Sequence, residues 1–344
     1  MAQDITINIS DASAVVTKQG FGLALILCTT KVLAYKEYDI SEDLTGVVTD
    51  FAVGTEVYKM ISAIAGQSPR PMTVAVYGVD LSASTQKAVD IVTALNTLIT
   101  LNNDWYRLLL DDKTEALISA VSDWAELNGK SFYTIFGNTT FTTDFSVKAK
   151  TNLFYKENTD RTDAGAVGFA SSRVPGSFIF KFKPLAGMTP DALTPDKINT
   201  VRGKNMNAYI KKFGNVNMAA DQLDEGLAAN GKSIDYEESK DWVKYRVTQE
   251  IVRLLMATDK LGADDTGIAS IVTAIGTALD DATSNNIIKK GTNKKGLYTI
   301  SYVSSDNLPA ADIQAGKISG IKFSYIYLYG IKEVTVNGAV AVQL

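Results

Sequence analysis

The sequence predicts an α/β fold (α+β overall), with a layered α/β region first and a mixed, then β-rich, region after it. Helix and strand patterns alternate regularly from about residue 50 to residue 137. Strands separated by helices of this length favour a largely parallel sheet. Strong helix patterns and then strand patterns follow residue 195. Both ends of the chain also have strand character, although chain ends are normally frayed and polar.

The first predicted elements are strands. Residues 4–9, DITINI, alternate polar and apolar side chains, so Ile5, Ile7 and Ile9 share one face of a predicted strand. The segment DASAVVTKQG that follows indicates a linker. The next run, GLALILC, is wholly apolar and predicts a central buried strand.

The α/β region contains three predicted helices and three predicted strands. Ser84 is a candidate cap for the second helix, and Asn128-Gly129 should end the third. The predicted strands are Thr73–Val79, YRLLL (106–110) and SFYTIFG (131–137). Apolar residues at helical spacing mark the three helices: Val53, Val57, Met60, Ile61 and Ile64; Ala88, Ile91, Val92, Leu95 and Leu98; Leu117, Ile118, Val121, Trp124 and Leu127.

The remaining elements follow a loop-rich stretch. Residues 158–176 are rich in glycine and polar residues and predict a loop, and the alternating SFIFKFK after them predicts a strand. Three prolines within residues 184–195 indicate a domain boundary. The sequence then predicts helices at Ser239–Met256 and Thr266–Ala282. The β-rich segments GLYTISYV, GIKFSYIYLYG and IKEVTVNGAVAVQL close the chain.

The composition excludes several classes of function. The chain has no histidine and one cysteine, Cys28, which excludes His/Cys zinc sites, Ser-His-Asp triads and Cys-His dyads. A net charge of −4 offers no broad basic surface, so we expect no nucleic-acid partner. The longest uncharged stretch, Thr266–Leu279, is too short to cross a bilayer, and the N-terminus lacks signal-peptide features. We therefore expect that the protein is made in the cytoplasm and does not insert into a membrane.

One segment matches a nucleotide-binding pattern. Residues Gly226–Ser233, GLAANGKS, fit the P-loop pattern G-x-x-x-x-G-K-[ST], which needs an apolar strand before it and a helix directly after it. The approach NMAADQLDE is polar and the exit SIDYEESK is acidic, so the pattern favours a polar loop that turns at Gly231. A P-loop nucleotide-binding protein is the alternative function.

Other catalytic patterns are incomplete. Ser84–Lys87 fits S-x-x-K and Ser305–Asn307 spells SDN, but about 220 residues separate them and no KTG follows. The sequence predicts no enzyme: no catalytic residues, no cofactor and no metal.

The two ends have an unusual pattern. Besides the first strand, the closing VTVNGAVAVQL alternates, with these valines on one face: Val334, Val336, Val340 and Val342. Each end can pair within its own domain, with Asn337-Gly338 as a hairpin turn. Alternatively, one or both ends add a strand to the sheet of a neighbouring molecule.

Four segments together resemble the contractile tail sheath proteins of bacteriophages and of related phage-tail-like particles. The segment ITINISDASAVVTKQGFGLALIL is similar to their extended arm and first core strand, and SKDWVKYRVTQEIVRLL to their Asp-Trp helix. GIASIVTAIGTALDDATSNNII resembles the following helix, and ISGIKFSYIYLYGIKEVTVNGAVAV the closing strands. The resemblance covers roughly residues 1–30 and 195–344. In the family, the position of GLAANGKSIDY is a loop and strand that bind no nucleotide.

The resemblance implies a structural virion protein. Its subunits would form a helical stack of six-fold rings around a tail tube, and contraction would drive the tube through the host envelope. Extended arms, roughly residues 5–9 and 333–344, would complete the inner sheets of neighbours. The implied partners are other copies of the chain, the tail tube protein, and the baseplate and tail terminator proteins. The implied location is the virion tail, assembled in the bacterial cytoplasm.

The resemblance also implies a division of the chain and a tube-facing surface. A C-terminal assembly domain and extended arms would accompany the outer α/β region. A further alternative function is that of another strand-exchanging assembly protein, such as a tube or surface-layer subunit. The implied parts are an N-terminal arm and linker (1–20), an α/β domain (21–195), a C-terminal assembly domain (196–332) and a C-terminal arm (333–344). The candidate tube-facing residues are Asp280, Asp281, Lys289 and Lys290.

Overall fold

The computed structural model describes residues 20–212 and 220–335. Most of the predicted arm residues lie outside these ranges, namely Ile5, Ile7, Ile9, Val336, Val340 and Val342. Val334 is described.

The largest element is an eight-stranded sheet with the order β2-β3-β1-β4-β5-β6-β7-β8. Strands β3, β1, β4, β5, β6 and β7 run parallel, while β2 and β8 pair antiparallel at the two edges. The strands are β1 (Ala24–Cys28), β2 (Leu33–Asp39), β3 (Thr73–Gly78), β4 (Arg107–Leu110), β5 (Ser131–Phe136), β6 (Thr151–Tyr155), β7 (Asn207–Lys212) and β8 (Ala220–Leu223).

Helices cover both faces of this sheet. Alternate residues of β1 point to opposite faces, so Ile26 packs with the core formed by α2 and α5, and Leu25 with the core formed by α3 and α4. This is the layered arrangement that burial of a parallel sheet requires. The helices are α1 (Thr45–Val48), α2 (Glu56–Ala65), α3 (Lys87–Leu101), α4 (Glu115–Asn128), α5 (Thr162–Ser171), α6 (Pro195–Gly203), α7 (Ile234–Ala257), α8 (Asp265–Ser284) and α9 (Ala310–Gln314).

A third core lies in the second half of the chain. Helices α7 and α8 pack together through residues such as Val247 and Ile275, and a two-stranded antiparallel sheet packs against them. That sheet is formed by β9 (Tyr298–Ser301) and β10 (Lys322–Tyr325), with Phe323 opposite Ile300.

Many predicted elements are confirmed. Strand β1 is buried along its whole length, and helices α2, α3, α4 and α8 occupy the predicted segments. Helix α4 ends as predicted, because Gly129 adopts the left-handed conformation (φ 64°) that terminates helices. Ser84 is not the cap residue of α3. Its hydroxyl instead accepts a hydrogen bond from the Gln86 amide at 3.0 Å, in the turn before the helix.

Two predictions in the middle of the chain are wrong. The segment 158–176 contains α5, and every residue of α5 is buried. A helix that is buried all round has no polar stripe, so its sequence lacks the usual amphipathic signal. SFIFKFK forms turns instead of a strand, because Phe180 is buried in the core while Phe182 has a positive φ of 69°. Strands β2, β6, β7 and β8 have no counterpart among the predicted elements.

The sheet continues across the proline-rich segment. Strand β7 follows residue 195 and pairs with β6, with Asn207 opposite Phe154. The division at 195/196 therefore lies between strands of one sheet, and the domain limits stay a prediction. Within the two described ranges, no helix is both long enough and apolar enough to cross a membrane.

Candidate assembly surface

The GLAANGKS loop has different neighbours from those that the sequence indicated. Strand β8 precedes it, and α7 begins at Ile234, directly after Ser233, rather than at Ser239. The acidic start of α7 is buried against the sheet. Because this burial depends on residues far away in sequence, it could not be predicted from local apolar spacing. Gly231 turns with a positive φ of 78°, as predicted.

The backbone amides of this loop already have acceptors within the protein. Three of them donate to the rest of the fold: Leu227 to Asn207 Oδ1 at 2.7 Å, Ala229 to the Thr151 carbonyl at 2.8 Å, and Asn230 to the Lys148 carbonyl at 3.1 Å. The other bonds lie within the loop: Ala228 N donates to Lys232 O, Gly231 N to Ala228 O, Lys232 N to Asn230 Oδ1 and Ile234 N to Gly226 O. A P-loop binds phosphate through free amides. This loop instead uses its amides to hold α7 against the sheet.

The first half of α7 carries a buried charged junction with the amino ends of β4 and β6. Glu238 accepts from Arg107 Nη2 at 2.5 Å and from Arg107 Nε at 3.2 Å, and both side chains are almost fully buried. The Tyr133 hydroxyl also donates to Glu238, at 2.8 Å. These bonds fix the position of α7 relative to the parallel sheet.

A second buried acid lies one turn further along α7. Asp241 accepts from the Tyr106 hydroxyl at 2.5 Å and from Lys150 Nζ at 2.7 Å. Burial and the charge of Asp241 raise the pKa of Tyr106 well above its usual value, so the hydroxyl stays protonated and keeps donating. Sequence reasoning missed this junction. Its signal was a helix whose first turns, DYEESKD, contain many charges and few apolar residues.

The second half of the chain carries many exposed apolar side chains. More than half of the large apolar residues that are exposed in the described ranges lie between 252 and 334. Leu255, Leu328 and Tyr329 also line one groove, and clustered exposed apolar side chains mark interaction sites. We call the following set the assembly surface: Val252, Leu255, Met256, Tyr302, Val303, Ile313, Ile326, Leu328, Tyr329, Ile331 and Val334.

A groove runs through this surface, between the second half of α7, α8 and the segment around β10. Its volume is about 1730 Å³, and apolar residues such as Ile251, Leu255 and Ile271 line it, with lysines such as Lys240 and Lys322 among the lining residues. In the described part of the chain, β9 and β10 pair only with each other. A sheet of two strands leaves one edge of each strand available for a further strand.

One candidate arm residue, Val334, and the four candidate tube-facing residues lie in this half of the chain. Val334 is exposed and belongs to no strand among the described residues. Asp280 accepts from the Tyr298 hydroxyl at 2.7 Å, and Asp281 forms an ion pair with Arg246 on α7. Lys289 and Lys290 are exposed in the segment that follows α8. All four charged candidates therefore lie at or just beyond the carboxyl end of α8.

The residues in 20–212 and 220–335 offer no cluster of three cysteine or acidic side chains that could hold a metal ion. The polar groups of the GLAANGKS loop and of the buried junction on α7 form their hydrogen bonds with other groups of the same chain.

Comparison with known proteins identifies similar folds. No protein-family model matches the chain, and no curated protein shows a significant sequence match. Among solved structures, a chain of the six-fold symmetrised anti-feeding prophage baseplate matches with a TM-score of 0.69 at 11% identity, over 99% of this chain and 100% of that one. A chain of the same baseplate in the contracted state matches with a TM-score of 0.69 at 12% identity, over the full length of both chains.

A third structure is a sheath assembly. A chain of the PVC sheath complex of an extracellular contractile injection system, in its contracted state, matches with a TM-score of 0.67 at 12% identity. The match covers 100% of this chain and 98% of that chain. This chain therefore has the fold of chains found in the sheath and baseplate structures of contractile particles.

Proposed function

We propose that this protein is the sheath subunit of a contractile phage tail or phage-tail-like particle. The observation that carries the proposal is the full-length structural match to a sheath complex, in which neither chain has a large unmatched domain. The structural role fits a chain whose polar clusters are consumed by folding contacts. The resemblance of its end segments to sheath arms supports the same function independently of the structural match.

The subunits join by strand exchange. The edges of the β9–β10 sheet offer backbone groups, and the adjacent groove offers apolar surface for alternate side chains of an added strand. The occupants are the segments around Ile5–Ile9 and residues 333–344 of neighbouring copies. A strand of this length forms four or five backbone hydrogen bonds, each worth about 1 kcal/mol net, and many linked subunits make the total large.

The resulting assembly is a helical stack of six-fold rings around a tail tube. Head-to-tail contacts that do not close on themselves generate a helix. Contraction is a rigid-body rearrangement of subunits between two packings, with the arms as tethers and the tube driven through the host envelope. Asp280, Asp281, Lys289 and Lys290 face the tube. Tube, baseplate and tail terminator proteins are the further partners, and the particle tail is the location.

Negative-stain electron microscopy tests the proposal. The purified full chain, alone and with its tube protein, is compared with variants that lack residues 1–10 or 336–344. We expect tubes or stacked rings from the full chain and none from either shortened chain. Thermal unfolding of all three chains shows whether the body of the subunit is intact. Monodisperse monomers from the full chain, with and without the tube protein, would contradict the proposal.

One substitution distinguishes the sheath proposal from the alternative of a P-loop nucleotide-binding protein. Lys232 is exposed, with its Nζ 3.9 Å from Glu237 Oε1. A sheath subunit with Lys232→Ala should assemble like the wild type, whereas a nucleotide-binding protein should lose ATP binding. Equilibrium binding of ATP to the wild type, measured first by calorimetry, should give no heat of binding.

A further inference from the structure

The C-terminal segment leaves the subunit through a short anchored stretch. Ile326 N donates to the Leu297 carbonyl at 2.9 Å, and Leu328 N donates to the Ile287 carbonyl at 2.8 Å. Among the described residues, these are the last backbone hydrogen bonds donated along the chain. From Tyr329 to residue 335, the hydrogen bonds seen among the described residues are made by side chains.

Two of these side-chain contacts reach the start of α7. The Tyr327 hydroxyl donates to Asp235 Oδ2 at 2.6 Å, and Lys332 Nζ donates to Ser233 Oγ at 2.5 Å. Ser233 is the N-cap residue and Asp235 lies in the first turn of α7. The root of the C-terminal segment is thus tied to one end of the helix whose next turns hold the sheet.

Packing restricts the path between these contacts. The rings of Tyr236, Tyr327 and Tyr329 contact one another, with centroid distances of 5.1 Å from Tyr327 to Tyr236, 4.9 Å from Tyr327 to Tyr329 and 5.8 Å from Tyr236 to Tyr329. A Cβ atom on Gly330 would lie 2.3 Å from Ile179 Cγ2, so the backbone passes too close for any side chain there. Residues 327–332 therefore follow one defined route over the subunit.

Asp235 is unusual within this anchor. It is 2% exposed, and its second carboxylate oxygen, Oδ1, has no hydrogen-bond partner. A buried carboxylate with unused acceptor capacity is costly for folding, so Asp235 calls for an explanation beyond stability. The bond from Tyr327 is the contact through which this residue acts on another part of the chain.

We propose that Asp235 is a positioning residue which, through Tyr327, fixes the point where the C-terminal arm departs, so that the segment passed to a neighbour begins at Glu333. This inference rests on the proposed strand exchange. The anchor limits the direction and reach of the arm, so that fewer registers are open to the strand when it enters a neighbour's sheet. Loosening the root raises the entropy that must be lost on docking.

Hydrogen exchange of the free subunit tests the anchor without requiring assembly. The variants are Tyr327→Phe, Asp235→Ala and the double variant, with Tyr329→Phe as the matched control in the same aromatic cluster. We expect the amides of Ile326 and Leu328 to exchange about fivefold faster in each single variant, which corresponds to about 1 kcal/mol. The double variant should exchange no faster than either single one, because both remove the same bond. Unchanged exchange in Tyr327→Phe overturns the proposal.

Electron microscopy of the same variants tests what the anchor is for. Tyr327→Phe should remain folded, with an unchanged unfolding temperature for the sheet, but should form fewer or shorter tubes than Tyr329→Phe. Wild-type assembly by a Tyr327→Phe chain with fast exchange would overturn the positioning role. Assembly by the chain lacking residues 336–344 would instead contradict C-terminal strand exchange itself, so the two failures are distinguishable.

Discussion

Arg107 and Glu238 form a buried, two-bond ion pair that joins the first residue of β4 to the second turn of α7. The pair connects the parallel sheet to the helix that carries both the apolar groove and the root of the C-terminal segment. The pair therefore fixes α7, and the elements packed on α7, to the sheet.

Breaking this pair should destabilise the whole subunit. Glu238→Ala leaves the Arg107 guanidinium buried and uncompensated, and removes the acceptor of the Tyr133 hydroxyl. We expect the free energy of unfolding to fall by about 3–5 kcal/mol. Urea denaturation measures the change. Asp123→Ala is the control, because Asp123 pairs with Lys148 at the surface with its side chain 60% exposed, and should cost about 0–1 kcal/mol. Equal losses in the two variants would contradict the structural role of the buried pair.

Lys130 should make stability depend on pH. Its ammonium is buried, with Nζ donating to the Asn103 carbonyl at 3.2 Å and to the Trp105 carbonyl, and burial lowers the pKa of Lys130 to about 7. Between that value and the unfolded pKa, near 10.5, the unfolded chain binds more protons than the folded one, so stability rises with pH. Below pH 7 both states are protonated and this dependence disappears.

The Lys130→Met variant isolates this effect. The difference in unfolding free energy between wild type and variant should shift in favour of the wild type from pH 7 to pH 9. Urea denaturation at several pH values measures it, and the comparison removes contributions from other titrating groups. A difference that stays constant over this range would show that Lys130 does not titrate as its burial implies.

Gly168 of α5 should be more sensitive to substitution by alanine than Gly203 of α6. A Cβ atom on Gly168 would lie 2.7 Å from both Cα and the carbonyl oxygen of Ile64 on α2, and backbone atoms cannot give way cheaply. We expect Gly168→Ala to cost about 1–3 kcal/mol, measured by urea denaturation. Gly203, at the end of α6, has no atom within 4 Å of that position, so Gly203→Ala should be neutral or slightly stabilising. A neutral Gly168→Ala would mean that α2 and α5 pack less closely.

The accuracy of the helix predictions depended on how much of each helix is buried. Helices such as α3 and α8, with one face on the core, show their apolar spacing directly, so they were predicted within a few residues. Helix α5 is enclosed by other elements and needs Gly168 for close packing, so its sequence has the composition of a loop. The start of α7 was missed for the opposite reason, since Glu238 and Asp241 are buried by partners far away in sequence. Apart from Val334, the residues of the assembly surface were not predicted, because exposure is a property of the fold.

The apolar groove should tolerate no charge if a neighbour fills it. Leu255 lines the groove and is 44% exposed, so Leu255→Glu should leave the free subunit stable. Burying an unpaired carboxylate at an interface costs more than about 1.4 kcal/mol, so the concentration needed for assembly should rise by more than about tenfold. Light scattering against protein concentration measures it. Val89→Glu, on the exposed face of α3, is the control and should assemble normally.

The N-terminal segment offers the sharpest test of strand exchange, because two adjacent residues, Thr6 and Ile7, lie on opposite faces of the predicted strand. Ile7→Asp places a carboxylate on the apolar face that Ile5 and Ile9 share, whereas Thr6→Asp places the same charge on the opposite face. If the segment adds a strand to a neighbour's sheet above the groove, Ile7→Asp should abolish tubes and Thr6→Asp should not. Electron microscopy and sedimentation measure the outcome, with thermal unfolding as the check on the subunit. Equal behaviour of the two variants would mean that the segment does not dock with one face against apolar surface, and would argue against its exchange between subunits.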